Sequence, residues 1–298
     1  MSTVEKEQTP KDPKQKGEKP PFKEPQQAPP GETREMAEKP DHGEESYRGF
    51  GRLKGRKALI TGGDSGIGRA VALAYAREGA DVVISYLNEH EDAAETARLV
   101  KEAGRKVETI PGGIDDPDHC QKLVETTMAS LGGIDILVNN AAMQRTHESI
   151  EEFTPEEWDA TFRTNVGAMF YLSRAALPKM PPGSAIINTT SVQAYQPNPM
   201  LLAYAATKGA IVTFTKALAQ LAIKSSVRVN AVAPGPVWTP LISSTMPIEK
   251  VEKFGQDSSL ERPAQPAELA PLYVFLASDE SRYFTGGIYD ATGGRMLP

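Results

Sequence analysis

The chain has 298 residues and a formal net charge of −6, from 33 Lys and Arg residues against 39 Asp and Glu residues. This length allows a buried apolar core without cross-links, and the single cysteine, Cys120, excludes an intrachain disulfide. The sequence has no dense basic stripe and no apolar run of membrane-spanning length, so we expect neither a nucleic-acid partner nor a membrane partner. The first residues lack the apolar core of a secretory signal, which favours a cytoplasmic protein.

The first 50 residues differ in composition from the rest of the chain. Pro, Lys, Glu and Gln dominate the stretch from Pro10 to Pro30, where Phe22 is the one large apolar residue. Such a stretch buries too little apolar surface to offset the entropy of ordering it, and its prolines favour extended conformations. We therefore predict a largely disordered tail over residues 1–50, with an arm that contacts a neighbouring subunit as the alternative, and one catalytic domain over residues 51–298.

Strands and helices alternate along the remainder of the chain. The strand Lys57–Thr61 is followed by a helix over 67–78, and the strand Asp81–Tyr86 by a helix over 91–103. Further apolar runs predict strands at 106–110, 134–138, 184–188 and 227–232. Continuously apolar strands that are each followed by a helix favour a parallel sheet covered on both faces. The fold class is thus α/β, a single doubly wound Rossmann-type domain.

A glycine-rich turn, Thr-Gly-Gly-Asp-Ser-Gly-Ile-Gly, occupies residues 61–68 between the first strand and the first helix. Glycines allow a sharp turn and let backbone N–H groups approach a pyrophosphate, which the positive end of the helix dipole also attracts. A glycine-rich turn alone also has a steric explanation, because tight turns need glycine. Its place in an alternating α/β chain favours dinucleotide binding.

The end of the second strand leaves the choice of dinucleotide open. An acid there usually binds the adenosine ribose of NAD, and a cation usually binds the 2′-phosphate of NADP. The sequence after Tyr86 is Leu-Asn-Glu, which has neither group at the strand end. The lack of a cation, with Glu89 nearby, favours NAD.

One tyrosine has a lysine four positions later, the pair Tyr204 and Lys208, in an Ala-rich stretch that predicts a helix. Residues four apart share a helix face, so the phenol and the ammonium can lie side by side. A cation near the phenol lowers its pKa, which is otherwise ~10, and the phenol can then exchange a proton with an alcohol or a carbonyl. The spacing alone would equally fit an ordinary pair of surface residues on a helix.

Two further polar residues are candidates for the same site. Ser191 follows the strand at 184–188, where active-site residues of open sheets collect, but Thr189 and Thr190 offer the same hydroxyl chemistry. Asn165 lies at the start of a long helical stretch, where a helix cap or a partner for backbone groups at a helix kink is the alternative role. The four histidines are scattered and no cluster has metal-ligand spacing, so we predict no metal site.

Taken together, these motifs resemble those of the short-chain dehydrogenase/reductase family over residues 53–298. Thr61 to Gly68 is similar to the family's coenzyme loop, and Asn139-Asn140-Ala141-Ala142 to its Asn-Asn-Ala-Gly motif. Asn165, Ser191, Tyr204 and Lys208 fall at the positions of its catalytic tetrad. A closer likeness, which includes the Pro-rich tail, is to glucose and ribitol dehydrogenase homologues.

The resemblance implies a role for each matching residue. Tyr204 is expected to be the acid/base, Lys208 to lower its pKa and bind the nicotinamide ribose, Ser191 to hold the substrate oxygen, and Asn165 to position a relay water. It also implies a homotetramer, built on the long helices after Asn165 and around Tyr204 and on a C-terminal strand near Ile288–Ala291. The residues that it implies for coenzyme contact, besides Tyr204 and Lys208, are Thr61, Gly62, Ser65, Gly66, Ile67, Gly68, Tyr86, Ile114, Asn140, Ala141, Pro234, Gly235, Val237 and Thr239.

Two positions depart from the family pattern. Ala142 replaces a common glycine, and Gly113 stands where many members have an aspartate that binds the adenine amino group, a loss that Asp115 could offset.

Glutamine, tyrosine, tryptophan and serine near the expected pocket favour a sugar, a polyol or a small hydroxyketone as substrate. The alternatives are an acyl-chain carbonyl reductase and a coenzyme-binding regulatory or scaffold protein.

Overall fold

A computed structural model describes residues 12–295 of the chain. Its strands are β1 Lys57–Thr61, β2 Asp81–Tyr86, β3 Val107–Pro111, β4 Ile136–Asn139, β5 Ala185–Thr189, β6 Arg228–Pro234 and β7 Ile288–Ala291. Its α-helices are α1 Gly66–Arg77, α2 His90–Glu102, α3 Pro117–Leu131, α4 Pro155–Phe162, α5 Ala168–Ala176, α6 Leu202–Ala222, α7 Pro240–Thr245, α8 Ile248–Glu252 and α9 Pro266–Ala277. A π-helical turn, Arg163–Gly167, joins α4 to α5. Short 3-10 turns lie at Pro13–Gln15, Thr33–Glu35, Ile150–Glu152, Leu177–Lys179, Val192–Ala194, Pro199–Leu201, Ile223–Ser225 and Asp279–Ser281.

The strands of the described residues form one parallel sheet in the order β3-β2-β1-β4-β5-β6-β7. Leu59 of β1 pairs with Val83 on one side and with Leu137 on the other, so β1 lies between β2 and β4. The chain reverses its direction of travel across the sheet between β1 and β4, and ligands of such sheets bind outside the carboxyl ends of the strands at that point. The predicted doubly wound α/β fold is confirmed.

Buried apolar side chains cover both faces of the sheet. On one face α1 and α9 pack together, α1 on β1 and β2 and α9 on β5 and β6, and α1 is buried along nearly its whole length. On the other face α3 packs on β1 and β2, α5 on β4, and α6 on β5 and β6. This two-sided burial explains why the strands have apolar runs rather than alternating patterns, and it leaves only the strand ends free for a site.

The N-terminal segment corrects the prediction of a largely disordered tail. Residues 12–50 lie against the domain and bury Phe22, Met36 and Tyr47, while residues 1–11 lie outside the described part of the chain. Tyr47 joins the apolar core beside α1, and Arg77 of α1 donates to the carbonyl oxygens of Gly43 and Tyr47. The residues after position 12 are therefore part of the domain.

Composition misled this prediction for a physical reason. A few large side chains spaced along the segment supply the apolar contacts, and prolines reduce the entropy that the unfolded chain loses on docking. Glu78, fully buried at the end of α1, accepts hydrogen bonds from the Tyr47 hydroxyl at 2.6 Å and from the backbone N–H groups of Phe50 and Arg52. The docked backbone thus finds partners that a tally of residue types does not reveal.

Glu78→Gln should lower the free energy of unfolding by about 3 kcal/mol at pH 7, because it removes the charge of a fully buried carboxylate that pairs with the Arg52 guanidinium. Burial alone would raise the pKa of Glu78, but hydrogen bonds from Arg52 and Tyr47 outweigh it and lower the pKa to about 2. The stabilisation is therefore present above the ordinary pKa of 4.5 and is lost as the pH falls towards 2. Urea unfolding of both proteins between pH 7 and pH 3 measures this difference.

The matched control is Glu102→Gln, which removes an exposed carboxylate that pairs with Arg98 on α2. A surface pair of this kind contributes about 0.5 kcal/mol or less. Equal losses in the two variants would contradict the importance given to the buried pair.

Candidate active site

A cleft of about 1040 Å³ opens at the carboxyl ends of the central strands. The turn after β1, the loop after β4, the start of α6 and the segment from Pro234 to Phe254 line it. These elements meet at the point where the strand order reverses, which is the expected location of a ligand site in this architecture.

The turn after β1 is shaped for a close approach of backbone to ligand. Gly62 and Gly66 have φ angles of 61° and 50°, which side chains other than glycine rarely adopt. A Cβ on Gly68 would lie 1.8 Å from the carbonyl oxygen of Gly62. The turn can therefore stay this tight only with glycine at position 68, and it leaves the N-terminus of α1 facing the cleft, where a phosphate is favoured.

Thr61 connects this turn to the loop after β4. Its hydroxyl accepts hydrogen bonds from the backbone N–H groups of Asn140, at 3.0 Å, and Ala141, at 3.1 Å. The Asn140 side chain in turn donates to the carbonyl oxygen of Thr61 at 3.1 Å. The two loops on either side of the switch point are thus held as one unit.

Tyr204 and Lys208 lie one helical turn apart on α6, as predicted, and both line the cleft. The Lys208 ammonium lies 5.1 Å from the centre of the Tyr204 ring and donates to the carbonyl oxygen of Thr189 at 2.8 Å. A second hydrogen bond joins the same two elements: the Thr190 hydroxyl donates to the backbone carbonyl oxygen of Lys208 at 2.7 Å. The end of β5 therefore fixes the lysine beside the phenol.

The structure decides between the three hydroxyls at 189–191. Thr190 is engaged with the Lys208 backbone, and Thr189 shares a hydrogen bond of 2.8 Å with the buried Tyr273 hydroxyl. Ser191 accepts a hydrogen bond from the Gln193 backbone N–H and is also hydrogen-bonded to the Tyr204 side chain. Ser191 is thus the hydroxyl that accompanies the phenol in the cleft.

Asn165 lies in the π-helical turn and is fully buried. Its side-chain oxygen accepts from the Met143 backbone N–H at 2.7 Å, and its amide nitrogen donates to the Met143 carbonyl oxygen at 2.9 Å and to Thr207 at 3.0 Å. These contacts tie the loop after β4 to α6. The alternative role of a helix cap does not apply, because the residue holds another loop.

The expected lowering of the Tyr204 pKa is absent in the protein alone. Burial raises the pKa of Tyr204 to about 12, with a smaller opposing effect of the Ser191 hydrogen bond, and burial lowers the pKa of Lys208 to about 7. Removing water penalises the charged form of each group.

Most of the sequence-predicted site residues meet in this cleft. Its lining includes Gly62, Ser65, Gly66, Ile67, Tyr86, Ile114, Asn140, Ala141, Ser191, Tyr204, Lys208, Pro234, Gly235, Val237 and Thr239. Thr61, Gly68 and Asn165 are not among the lining residues, and they act through the loops that they hold in place.

The sequence analysis missed several lining residues. Pro29, Pro30 and Gly31 of the N-terminal segment lie on the cleft, as does Asp64, beside the Glu89 that the sequence analysis had noted. Burial, and then the charge of Glu89, raise the pKa of Asp64 to about 7. Asp115 also lines the cleft, and its carboxylate lies 2.5 Å from where a Cβ on Gly113 would be, so it occupies the space of the missing side chain.

The residues present fit a nicotinamide dinucleotide. The glycine turn admits no larger side chain, and one carboxylate oxygen of the buried Glu89 has no hydrogen-bond partner among the described residues although the residue lines the cleft. An adenosine ribose hydroxyl would satisfy that oxygen. No group of three or more His, Cys, Asp or Glu side chains in residues 12–295 could hold a metal ion, and no helix in that range is long and apolar enough to cross a membrane.

Comparison with known proteins agrees with this geometry. A family model described as enoyl-(acyl carrier protein) reductase matches residues 62–295. General stress protein 39 of Bacillus subtilis is 52% identical over 268 residues, which cover 90% of this chain and 94% of the relative. The chain belongs to the short-chain dehydrogenase/reductase family. As a member of that family it is an NAD(P)-dependent oxidoreductase that acts on an alcohol or a carbonyl.

Two further relatives bear on coenzyme and substrate. Glucose and ribitol dehydrogenase of Daucus carota is 44% identical over 287 residues, which cover 94% of this chain and 98% of the relative. A short-chain dehydrogenase of Burkholderia cenocepacia, solved in complex with NADP, superposes with a TM-score of 0.77 at 31% identity, covering 82% of this chain and 98% of that one.

Gly68→Ala should weaken coenzyme binding by at least about tenfold, because the new methyl group displaces the Gly62 carbonyl and opens the turn after β1. The dissociation constants of NAD and NADP, measured by calorimetry, test this. Gly209→Ala on α6 is the control, since a Cβ at this position would meet no atom within 4 Å beyond its own helix backbone. Unchanged coenzyme affinity in Gly68→Ala would contradict the role given to the turn.

Proposed function

We propose that this enzyme interconverts an alcohol and a carbonyl on a sugar, a polyol or a small hydroxyketone, with NAD as its preferred coenzyme. The observation that carries the substrate class is the set of side-chain amides beside the reacting groups: Gln144, Gln193 and Asn198 line the cleft together with Ser191. Amides both donate and accept hydrogen bonds, which suits a molecule with several hydroxyl groups. The likeness to a glucose and ribitol dehydrogenase supports the same class.

Hydrogen bonds within the protein engage only part of the donor and acceptor groups of these amides. Gln193 accepts from the Asn198 backbone N–H through its oxygen at 2.6 Å, which leaves its NH₂ group for a ligand. Gln144 donates from its nitrogen to Thr245 at 2.8 Å, which leaves its oxygen for a ligand. A donor and an acceptor therefore lie along the same cleft.

The chemistry divides between the coenzyme and the protein. The bound nicotinamide supplies the acceptor or donor of the hydride. Tyr204 takes the hydroxyl proton when the alcohol is oxidised and returns it when the carbonyl is reduced. Ser191 donates a hydrogen bond to the substrate oxygen, and Lys208, held by the Thr189 carbonyl, supplies positive charge beside the phenol. We also propose that Asn165 positions a relay water near Lys208, as in relatives.

The coenzyme preference rests on charge at the adenosine end of the cleft. Asp64 and Glu89 are buried carboxyl groups that line it, and the nearby guanidinium of Arg69 is already paired with Asp92 at 2.8 Å. A 2′-phosphate would face two acidic groups without a free cation among the residues that form this end of the described cleft. The ribose hydroxyls of NAD would instead donate to Glu89.

Glu89→Gln should raise kcat/KM with NADP relative to NAD by about tenfold, because it removes one charge that repels the 2′-phosphate. Initial rates with each coenzyme at saturating substrate, for wild type and variant, measure the ratio. Glu95→Gln, which changes an exposed carboxylate paired with Arg98, is the control and should leave the ratio unchanged. A wild-type enzyme that prefers NADP would contradict this proposal.

The substrate class is tested by initial rates over a panel of sugars, polyols, hydroxyketones and acyl thioesters. We expect turnover with polyhydroxylated compounds, and Tyr204→Phe should reduce it by at least about a thousandfold, since the acid/base is lost. Coenzyme affinity should stay within about twofold, because the ring remains. Turnover of acyl thioesters alone would instead support an acyl-chain carbonyl reductase, and coenzyme binding without any turnover would support a regulatory protein.

We further propose a cytoplasmic homotetramer. Exposed apolar side chains on the outer helices, Phe170 of α5 and Leu202 and Leu221 of α6, support a subunit contact there. The family resemblance points to the same helices. The single buried cysteine suits a reducing compartment.

A further inference from the structure

Residues 22–38 of the N-terminal segment, named the strap below, cross the open side of the cleft. Pro29, Pro30 and Gly31 of the strap line the cleft, as do residues of the turn after β1. On its other side the strap covers residues 238–254, which contain α7 and α8 and are called the lid below. The lid borders the site that holds Tyr204, so a segment that holds the lid also shapes the substrate pocket.

An apolar cluster joins the strap to the lid. The ring of Phe22 stacks on Trp238, with ring centres 4.1 Å apart and planes inclined by 19°. Met36 of the strap and Ile242 of the lid belong to the same buried cluster, and Tyr204 packs against it. The catalytic phenol and the strap thus share one set of contacts.

Hydrogen bonds hold the same two segments together. The indole N–H of Trp238 donates to the Glu38 carbonyl oxygen at 2.8 Å. The backbone N–H of Phe22 donates to the carbonyl oxygen of Glu252 at 2.9 Å, at the end of α8. The Ser244 hydroxyl of α7 donates to the Pro30 carbonyl oxygen at 3.0 Å. Both lid helices are therefore bonded to the strap.

A third set of contacts ties the strap to the coenzyme side of the cleft. The backbone N–H of Thr33 donates to the Asp92 carboxylate at 2.7 Å, and Asp92 pairs with Arg69 at 2.8 Å. Arg69 donates in turn to the carbonyl oxygen of Asp64, within the glycine turn, at 2.8 Å. The strap thus spans the cleft from the lid to the phosphate turn.

We propose that the strap is a specificity-determining wall of the active site and that Phe22 is a positioning residue, which fixes the lid over the substrate through Trp238. The lid is then already ordered before substrate arrives, and the substrate does not have to supply the free energy of ordering it. For its kinetic consequence this inference rests on the proposed oxidoreductase function. The docking of the strap on the lid is independent of that function.

The docking of the strap on the lid is measured first, by the fluorescence of Trp238. The chain has two tryptophans, so Trp158→Phe leaves Trp238 as the reporter, and Trp238 is 1% exposed. In that background Phe22→Ala should raise acrylamide quenching severalfold and shift the emission to longer wavelength, because water reaches the indole. Lys23→Ala, an exposed neighbour, should change neither signal, and Phe22→Tyr, which keeps a ring on the indole, should restore both.

Kinetics in the full-length enzyme then test positioning. Phe22→Ala should raise KM for the substrate found in the panel by about tenfold while kcat changes by no more than about twofold, because the reacting groups are untouched. Gly31→Ala is an independent variant that removes no contact: its Cβ would lie 2.7 Å from the Pro240 carbonyl oxygen at a φ of +83°, which pushes the strap off α7. It should raise KM in the same way.

Two outcomes contradict the proposal, and a third contradicts the function on which its kinetic consequence rests. If Trp238 stays shielded in Phe22→Ala, the strap does not dock as described. If Trp238 becomes accessible but KM is unchanged in both variants, the strap docks without positioning the lid. If the wild-type enzyme turns over no compound in the panel, the proposed function has failed, and the quenching result still decides whether the strap is docked.

Discussion

The site depends on one buried contact, the hydrogen bond from the Lys208 ammonium to the carbonyl oxygen of Thr189. An ammonium removed from water at this position needs a partner, and the end of β5 supplies it. Thr190 returns a hydrogen bond to the Lys208 backbone, so strand and helix are joined twice at the same level. This contact fixes where α6 crosses the carboxyl end of the sheet, and hence where Tyr204 and Ser191 meet.

The other parts of the cleft are arranged around that fixed point by similar short connections. Thr61 binds the loop after β4 to the phosphate turn, and Asn165 binds the same loop to α6. Each uses a buried side chain to satisfy backbone groups of another segment, which costs less than leaving those groups unpaired. The cleft is therefore rigid on the sheet side, while its outer side is built from the lid and the N-terminal strap.

The sequence predicted the parts of this structure that depend on local pattern. Apolar runs located the strands from β1 to β6 within about two residues, and the glycine spacing at 61–68 located the tight turn between β1 and α1. It failed where long-range contacts decide. Phe22 is an isolated aromatic in a polar segment, and only its stacking on Trp238, more than two hundred positions later, explains why residues 12–50 dock. The one feature of the sequence that could have indicated docking is this single aromatic residue among prolines. The direction in which the pKa of Tyr204 shifts also depends on how deeply the phenol is buried, and the four-residue spacing to Lys208 does not reveal that burial.

We propose, as the central claim, that the ionisation of Tyr204 controls turnover once coenzyme is bound, and that Lys208 is then the charge that makes the phenolate accessible; in the protein alone, burial raises the pKa of Tyr204. It is tested most directly by the pH dependence of kcat/KM for alcohol oxidation in wild type and in Lys208→Met. The account predicts that wild-type kcat/KM rises with pH to a plateau, because the phenolate takes the proton, and that the same rise moves to higher pH in the variant. A profile independent of pH, or one that is the same in both proteins, would contradict it.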